Sequence, residues 1–275
     1  MKLPNTITRI TTYINHNLEY IIFFSLVIIL AILITKRNWE GFLNEQHGIN
    51  ALDAIIYINL ENRQDRKELL LKELETLKTN TAKIHKVSGV YIPKNGHKGC
   101  IQSHIIALNM IKLNKWQRVL ILEDDAQLDT DPAVVNDIIT QSMKTLDEKD
   151  PNWDVIMLAT ANKVINSKAQ EPHSSQLEIY APDGTIKPIT LERLTRATTS
   201  SAYIVKGEYV EEILALFNTC NDNMKPNKLS GNNYEFWALD QKWASLQKRD
   251  HWYALSPDPI KQREIWSSIL TESHQ

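Results

Sequence analysis

The sequence predicts an α/β protein with a mostly parallel central sheet. From residue 53 onward, short apolar runs alternate with segments of helical periodicity, a repetition typical of a parallel sheet with helices on both faces. Hydrophobic residues make up 43% and charged residues 23% of the 275 positions, which is the range of globular proteins and excludes disordered and fibrous classes. The 31 Lys and Arg against 33 Asp and Glu leave no basic excess, so nucleic acid is not expected as a partner.

The elements follow one another in a regular order after residue 53. The helix at 63–77 is indicated by leucines that share one broad face, and the helix at 132–146 by the proline that opens it. Apolar runs bounded by turn residues indicate the strands. The expected strands are 54–60, 82–89, 118–124, 154–159 and 198–205, and the other expected helices are 99–114, 207–217 and 235–247. The polar stretch 160–196, with several Pro and Gly, is expected to be a long irregular loop.

An apolar segment near the amino terminus predicts a membrane anchor. Residues 18–35 read LEYIIFFSLVIILAILIT, carry no charge after Glu19, and are followed directly by Lys36 and Arg37. The run is at the short end for a spanning helix. A cleaved signal peptide and a buried core helix are the alternatives, and the first lacks a small-residue cleavage site after the run. We therefore expect a single-pass membrane protein in which residues 18–35 contact the lipid bilayer.

This anchor divides the chain into four segments. They are a short tail at 1–17, the anchor at 18–35, a stem at 36–52 and a catalytic domain at 53–275. The basic residues on the two sides of the anchor nearly balance, so the positive-inside rule does not decide the orientation. The two cysteines, Cys100 and Cys220, exclude a disulfide framework and a Cys-rich zinc site.

Three adjacent carboxylates end one of the predicted strands. Glu123, Asp124 and Asp125 follow the apolar run VLIL, at the carboxyl end of a strand, where open α/β sheets bind ligands. Hard oxygen ligands of this kind suit Mg²⁺ or Mn²⁺, and the alternative is a solvated acidic turn. A receiver domain of a signalling protein is disfavoured, because the later strand at 154–159 ends without the acid that such a domain needs.

Five motifs in the same order resemble glycosyltransferase family 25, which includes lipopolysaccharide-type and procollagen-type sugar transferases. They are IYINLENRQDR at 56–66, GCIQSH at 99–104, VLILEDD at 119–125, TTSSAYIV at 198–205, and the Asp-x-x-Trp and closing KQR segments within 238–264. Together they extend over nearly the whole chain after the stem. The last motif is most similar to large-virus and bacterial members, so the substrate of the procollagen enzymes is not carried over.

The resemblance implies a GT-A type nucleotide-sugar-binding fold and transfer with inversion at the anomeric carbon. The implied reaction is that of a metal-dependent hexosyltransferase, which moves a hexose from a nucleotide sugar, UDP-linked, to a hydroxyl of a glycan or protein acceptor. A catalytically inactive relative that serves as a carbohydrate-binding or scaffold protein is the alternative. The intact acidic turn argues against that alternative.

The metal and the donor have candidate residues. A divalent cation, Mn²⁺ rather than Mg²⁺, is expected on Glu123 and Asp125, where it would act as a Lewis acid on the departing diphosphate. The expected donor contacts are Asn59, Arg63, Arg66, Ser103, His104, Asp124, Lys261 and Arg263. The alternative to a donor contact is an ordinary surface role for Arg63 and Arg66 and a structural role for His104. For the basic residues near 261 it is a solvated tail.

An inverting displacement needs a base on the acceptor face. Asp240, in the Asp-x-x-Trp context, is the first candidate and Glu235 is its rival; the alternative for Asp240 is a helix cap or a salt bridge. Aromatic faces stack on sugars, so Trp237 and Trp243 are expected either as an acceptor platform or as core. His251 is a weaker candidate for a further metal ligand.

Overall fold

The computed structural model describes residues 20, 22–36, 47–166, 174–224 and 234–264. The chain divides into two compact units, residues 1–46 and His47–Gln275.

The first unit contains helix α1, residues 22–36, whose apolar side chains are exposed. Within the described residues, no helix has both the length and the apolar character that crossing a bilayer requires. Part of the predicted anchor, residues 18, 19 and 21, lies outside the described residues, as do the predicted tail at 1–17 and the stretch 37–46 of the stem. The anchor therefore stays a prediction.

The second unit starts earlier than the predicted catalytic domain. A 3-10 turn at Gly48–Ala51 places Ile49 and Leu52 in the core with no exposed surface. The backbone N–H of Ile49 donates to the side chain of Asn136, at 2.9 Å. Residues 47–52, which we assigned to the stem, thus pack as part of this unit.

Strands and helices alternate through the first half of the second unit. The helices are α2 (Gln64–Thr76), α3 (Gly96–Asn114), α4 (Pro132–Lys149), α5 (Val210–Asn223), α6 (Leu239–Lys242) and α7 (Ala244–Arg249). The strands are β1 (Ala54–Asn59), β2 (Ile84–Ser88), β3 (Arg118–Glu123), β4 (Ala126–Leu128), β5 (Val155–Met157), β6 (Ala161–Ile165), β7 (Ser174–Tyr180), β8 (Ile186–Thr198), β9 (Ala202–Lys206), β10 (Trp252–Ser256) and β11 (Ile260–Gln262).

The α/β class is confirmed, but the central sheet is mixed. In the described residues, eight of its strands follow the order β2-β1-β3-β9-β5-β10-β8-β6, with β7 paired to β8. β2, β1 and β3 are parallel neighbours, and β5 is parallel to β10, whereas β9 runs antiparallel between β3 and β5. Parallel neighbours need a long crossover between them. β9 follows β8 after three residues but is not its neighbour in the sheet, and both strands run in the direction opposite to β3, β5 and β10.

Both faces of the sheet are covered by helices, as the alternation predicted. Alternate residues of β1 point to opposite faces. Ile55 shares a core with Leu70 of α2 and Ile138 of α4. Ile56 shares the other core with Leu108 of α3, and that core also contains side chains of α5.

The predicted irregular loop at 160–196 is wrong over its described part, which forms β6, β7 and most of β8. Along β7 exposed and buried residues alternate strictly, and β7 and β8 form an antiparallel hairpin. Its turn uses Gly184 at φ 82°, a conformation that favours glycine. Proline and glycine, which indicate loops in general, here mark the hairpin turn and a strand residue, Pro188.

The predicted helix at 235–247 is interrupted. The segment forms a 3-10 turn at Glu235–Trp237, then α6 and then α7. These short elements pack against α5 and β8 and bring Asp240 toward the carboxyl end of β3.

Candidate active site

The acidic turn after β3 lies beside the carboxyl end of β1. The two strands are parallel with Ile58 opposite Glu123, so Asn59 and the carboxylates emerge at the same edge of the sheet. Asp124 and Asp125 are buried and Glu123 is partly buried. The alternative of a solvated acidic turn is therefore wrong for this structure.

Asp124 is held by two of the predicted donor residues. Its carboxylate accepts hydrogen bonds from Asn59 Nδ2 at 2.8 Å and from the Arg66 guanidinium at 3.0 Å. Arg66 also lies 3.6 Å from Asp125 and is itself buried. Buried charges need such pairing, and Arg66 supplies part of it for the turn.

Asp125 lies between the start of β9 and the end of β11. Its oxygens accept hydrogen bonds from the Ser201 hydroxyl at 3.2 Å and from Gln262 Nε2 at 3.0 Å. Burial, and then the charge of Glu123, raise the pKa of Asp125 to about 6. Glu123 and Asp125 thus carry more negative charge than their protein partners neutralise, which is the condition a divalent cation would relieve.

Glu123 has a different set of partners. His104 Nε2 lies 3.2 Å from its carboxylate, the Ser200 hydroxyl donates to it, and Cys100 Sγ lies 3.9 Å away. Burial opposes ionisation of Glu123, but the hydrogen bonds from His104 and Ser200 outweigh it and lower the pKa of this carboxyl. His104 Nδ1 in turn lies 3.0 Å from the Tyr203 hydroxyl.

His104 therefore orients Glu123 from within the core. The side chain is fully buried and lies against Tyr203 with nearly parallel rings. Helix α3 begins at Gly96, three residues before the predicted start, so His104 lies in its third turn. Its side chain contacts Glu123 through Nε2 and Tyr203 through Nδ1, and it lines the cleft described below.

The short link between β8 and β9 contacts three carboxylates. The backbone N–H of Thr199 donates to Asp240 at 3.2 Å, the Ser200 hydroxyl to Glu123, and the Ser201 hydroxyl to Asp125. Thr199 has φ 70°, which is a costly backbone conformation for a residue with a branched side chain. Strained conformations of this kind cluster at functional sites. The sequence TTSS was part of the family resemblance, but nothing in it indicated these contacts.

The remaining donor candidates lie around this turn with partners of their own. The Ser103 hydroxyl donates to the Gly99 carbonyl and accepts from the Val90 N–H. It therefore holds the segment between β2 and α3 against α3. Arg63 donates to Asp65. The hydrogen bond to Asp65 raises the pKa of Arg63 and burial opposes this. The charges of Asp124 and Asp125 raise the pKa of Arg63 further.

The closing segment contains Lys261, Gln262 and Arg263, which we expect to clamp the diphosphate, and its two basic side chains pair with acidic residues. Lys261 lies against Asp129 at 2.5 Å, and Arg263 against Glu73 at 2.7 Å. Side chains alternate along a strand, so the residue between them, Gln262, is the one that reaches the acidic turn. The Arg263 backbone N–H still donates to the Asp125 carbonyl, at 2.7 Å.

A cleft opens above the acidic turn. Its polar lining residues include Arg66, His104 and the three carboxylates. Its apolar lining residues, called here the apolar wall, are Ile58, Leu60, Val90, Tyr91 and Ile92, of which Tyr91 is exposed.

A second cleft contains both candidate bases. Asp240 and Glu235 line it together with His97, Phe236 and Lys242. Burial raises the pKa of Asp240, the Thr199 N–H opposes this, and the nearby charge of Glu123 raises the pKa further. Burial lowers the pKa of His97, against the charges of Asp240 and Glu235. Asp240 is therefore close enough to the acidic turn for the charge of Glu123 to raise its pKa.

The aromatic candidates separate into one core residue and one cleft residue. Trp243 is fully buried and donates its indole N–H to the Ala197 carbonyl at 2.9 Å, so it is core. Trp237 is partly buried beside the exposed ring of Phe236, and Lys242 lies over both rings. Phe236 was missed because a single exposed aromatic in a broken helix carries no periodic signal.

His251 is not at the candidate site. It precedes β10 and lies 2.6 Å from Asp150, at the amino-terminal end of parallel strands whose carboxyl ends face the other way. The suggestion that it is a metal ligand with the acidic turn is wrong.

Residues 92–227 match the model of the family described as glycosyltransferase family 25 (LPS biosynthesis protein). This match confirms the family resemblance and supports glycosyltransferase activity. It includes the acidic turn and the β8–β9 link but not Asp240. No curated protein matches the sequence.

Three solved structures are similar to the chain at low identity. A glycosyltransferase "involved in the glycosylation of the major capsid of PBCV-1" has 15% identity, with 66% of this chain and 72% of that one covered, at a TM-score of 0.34. The glycosyltransferase GlyE of Streptococcus pneumoniae TIGR4 has 11% identity, with 79% and 55% covered, at 0.39. A197 from STIV has 10% identity, with 81% and 100% covered, at 0.39. At such low TM-scores these likenesses carry no weight for fold or function.

Proposed function

Because residues 92–227 match the family 25 glycosyltransferase model, we propose that the chain transfers a hexose from a UDP-linked sugar to a hydroxyl of a glycan or protein, with inversion. We also propose a GT-A type arrangement of the donor above the mixed sheet. The observation that best supports this is the meeting of two sets of groups at the end of β3. One is a buried acidic turn beside a cleft, and the other is a separate carboxylate, Asp240, within range of its charge.

The donor is assigned to the cleft above the acidic turn. Tyr91 and the apolar wall offer a surface for the flat uracil ring, and Asp124, fixed by Asn59 and Arg66, is in place to accept hydrogen bonds from the ribose or the sugar. Glu123 and Asp125 suit Mn²⁺ as hard oxygen ligands, and a cation there would supply positive charge for the departing diphosphate.

The acceptor is assigned to the second cleft. Asp240 removes the proton from the acceptor hydroxyl, and that oxygen attacks the anomeric carbon from the face opposite the diphosphate. The new C–O bond forms as the bond to the diphosphate breaks, which inverts the configuration. The raised pKa of Asp240 makes it a stronger base than an exposed carboxylate. Glu235, which is exposed, is the weaker candidate.

A donor screen tests the assignment. We expect the protein, supplied with Mn²⁺, to release nucleotide from a UDP-hexose faster than from GDP-, CMP- or dTDP-linked sugars. Proton NMR of the first sugar product should give the inverted anomer. Binding of a UDP-sugar without release of nucleotide from any donor would contradict the proposal and favour the inactive, carbohydrate-binding alternative.

We further propose that residues 18–35 anchor the protein in a membrane as a single pass. The apolar run should keep the full chain in the membrane fraction after alkaline carbonate extraction. A chain that begins at Gly41 retains the whole second unit and should appear in the supernatant with its nucleotide-releasing activity. Full-length protein found only in the supernatant would contradict the anchor.

A further inference from the structure

Three potential metal-ligand atoms of different chemistry converge at one wall of the first cleft. They are Cys100 Sγ, His104 Nε2 and a carboxylate oxygen of Glu123, all within 4.8 Å of one another. The sulfur lies 3.9 Å and the imidazole nitrogen 3.2 Å from Glu123 Oε1. Among the described residues, these form a group of three in which each side chain offers one ligand atom.

The fold brings this group together through two rigid elements. Cys100 and His104 are four residues apart on α3, so they lie on the same face of the helix. Glu123 is the last residue of β3, and its carboxylate lies next to both side chains. A site built from a helix and a strand holds its ligands in place better than a site built from loops.

The distances are close to those of a tetrahedral metal site. With bonds of about 2.3 Å to sulfur and about 2.0 Å to nitrogen and oxygen, the edges of a tetrahedron are about 3.3 Å between nitrogen and oxygen and about 3.5 Å between sulfur and oxygen. The observed separations of 3.2 Å and 3.9 Å therefore need only small movements.

The surroundings of His104 also suit a metal ligand. Metal-binding histidines almost always donate their other ring N–H to an oxygen, and the Tyr203 hydroxyl lies 3.0 Å from Nδ1. Cys100, His104 and Glu123 all line the cleft, so a cation in the cleft can reach the group from that side.

We propose that Cys100, His104 and Glu123 bind a thiolate-preferring divalent cation, Zn²⁺ in particular, at a thiolate site that overlaps the oxygen site of Glu123 and Asp125 at Glu123 but does not include Asp125. On binding, the Cys100 thiol loses its proton to solvent, and His104 binds through Nε2 while Nδ1–H donates to Tyr203. The two sites share Glu123, so Zn²⁺ and Mn²⁺ compete. Zn²⁺ therefore inhibits any activity that depends on the oxygen site.

Cobalt replaces zinc as a spectroscopic probe in the test. Co²⁺ bound to a thiolate gives a near-ultraviolet charge-transfer band and tetrahedral visible bands, and added Zn²⁺ should abolish both. We expect these bands in the wild-type protein with one Co²⁺ per chain and one proton released. Cys100→Ser should lose the charge-transfer band, and His104→Gln should weaken Co²⁺ binding by about 100-fold. Circular dichroism checks that each variant folds.

Two control variants give the test its specificity. Cys220→Ser alters the other thiol, which lies on α5, and should retain the band. Asp125→Asn removes a ligand of the oxygen site only and should also retain it. The absence of the band in the wild type, or its persistence in Cys100→Ser, would overturn the proposal. Loss of the band in Asp125→Asn would show that the thiolate site needs Asp125, which would also overturn the proposal. None of these readings depends on sugar transfer, so they stand whether or not the proposed function holds.

Discussion

Asp240→Asn is expected to lower kcat by about 10²–10⁴-fold, the usual contribution of a general base. An amide cannot accept the proton of the acceptor hydroxyl. Its carbonyl oxygen can still accept the hydrogen bond from the Thr199 N–H, so the turn and the fold should be retained. Donor affinity should barely change, because the donor is assigned to the other cleft. Calorimetric donor binding, thermal melting and transfer rate on the same variant measure these three effects.

Glu235→Gln is the matched control for this prediction, since it removes the other carboxylate of the same cleft. Its transfer rate should stay within about tenfold of the wild type, well above that of Asp240→Asn. A structural Asp240 would give a different pattern, with lower melting temperature and parallel losses of donor binding and turnover. Normal transfer by a normally folded Asp240→Asn would remove Asp240 from the mechanism.

Asp125→Asn is expected to lower turnover by 100-fold or more. This corresponds to about 2.7 kcal/mol or more of lost charge stabilisation at a leaving group. The substitution keeps the shape of the side chain but removes the charge that, with Glu123, suits a divalent cation. Mn²⁺ binding, measured by electron paramagnetic resonance, should weaken in parallel with turnover.

The same substitution should not destabilise the metal-free fold. The pKa of Asp125 is raised to about 6 from an ordinary value of about 4, so the folded state binds this proton more tightly than the unfolded state. The stability that results is present below about pH 4 and is lost as the pH rises to about 6. Above pH 6, metal-free Asp125→Asn should therefore unfold at a denaturant concentration no lower than the wild type.

Asp129→Asn serves as the control for Asp125→Asn, because Asp129 lies outside the cleft and pairs with Lys261. Its Mn²⁺ binding and turnover should match those of the wild type. Undiminished metal-dependent turnover in Asp125→Asn would eliminate Asp125 as a metal ligand.

Local patterns were sufficient to predict the first half of the fold. Apolar runs such as VLIL and the leucine face of α2 give strong periodic signals because each element buries one face against the same core. The acidic turn was found in the same way, as charge at the end of a buried strand. The prediction for the β6–β8 region was wrong because the prolines and the glycine there mark a hairpin. Single residues of these types do not distinguish a hairpin from a loop.

The contacts of the site could not be predicted from local patterns. Ser200, Ser201 and Gln262 reach Glu123 and Asp125 across 76 to 137 residues of chain, and such pairings depend on the strand order. The antiparallel β9, which places the serines at the carboxyl end of β3, carries no sequence signal of its direction. For the same reason the sequence did not show that, of Lys261, Gln262 and Arg263, it is Gln262 whose side chain reaches the turn.

The donor site proposed above the acidic turn depends on a cation held by Glu123 and Asp125. Calorimetric titration of UDP into the wild-type protein, once with Mn²⁺ and once with a chelator, tests it most directly. We expect saturable UDP binding with Mn²⁺ that disappears with the chelator. UDP binding of equal strength in both titrations would contradict it.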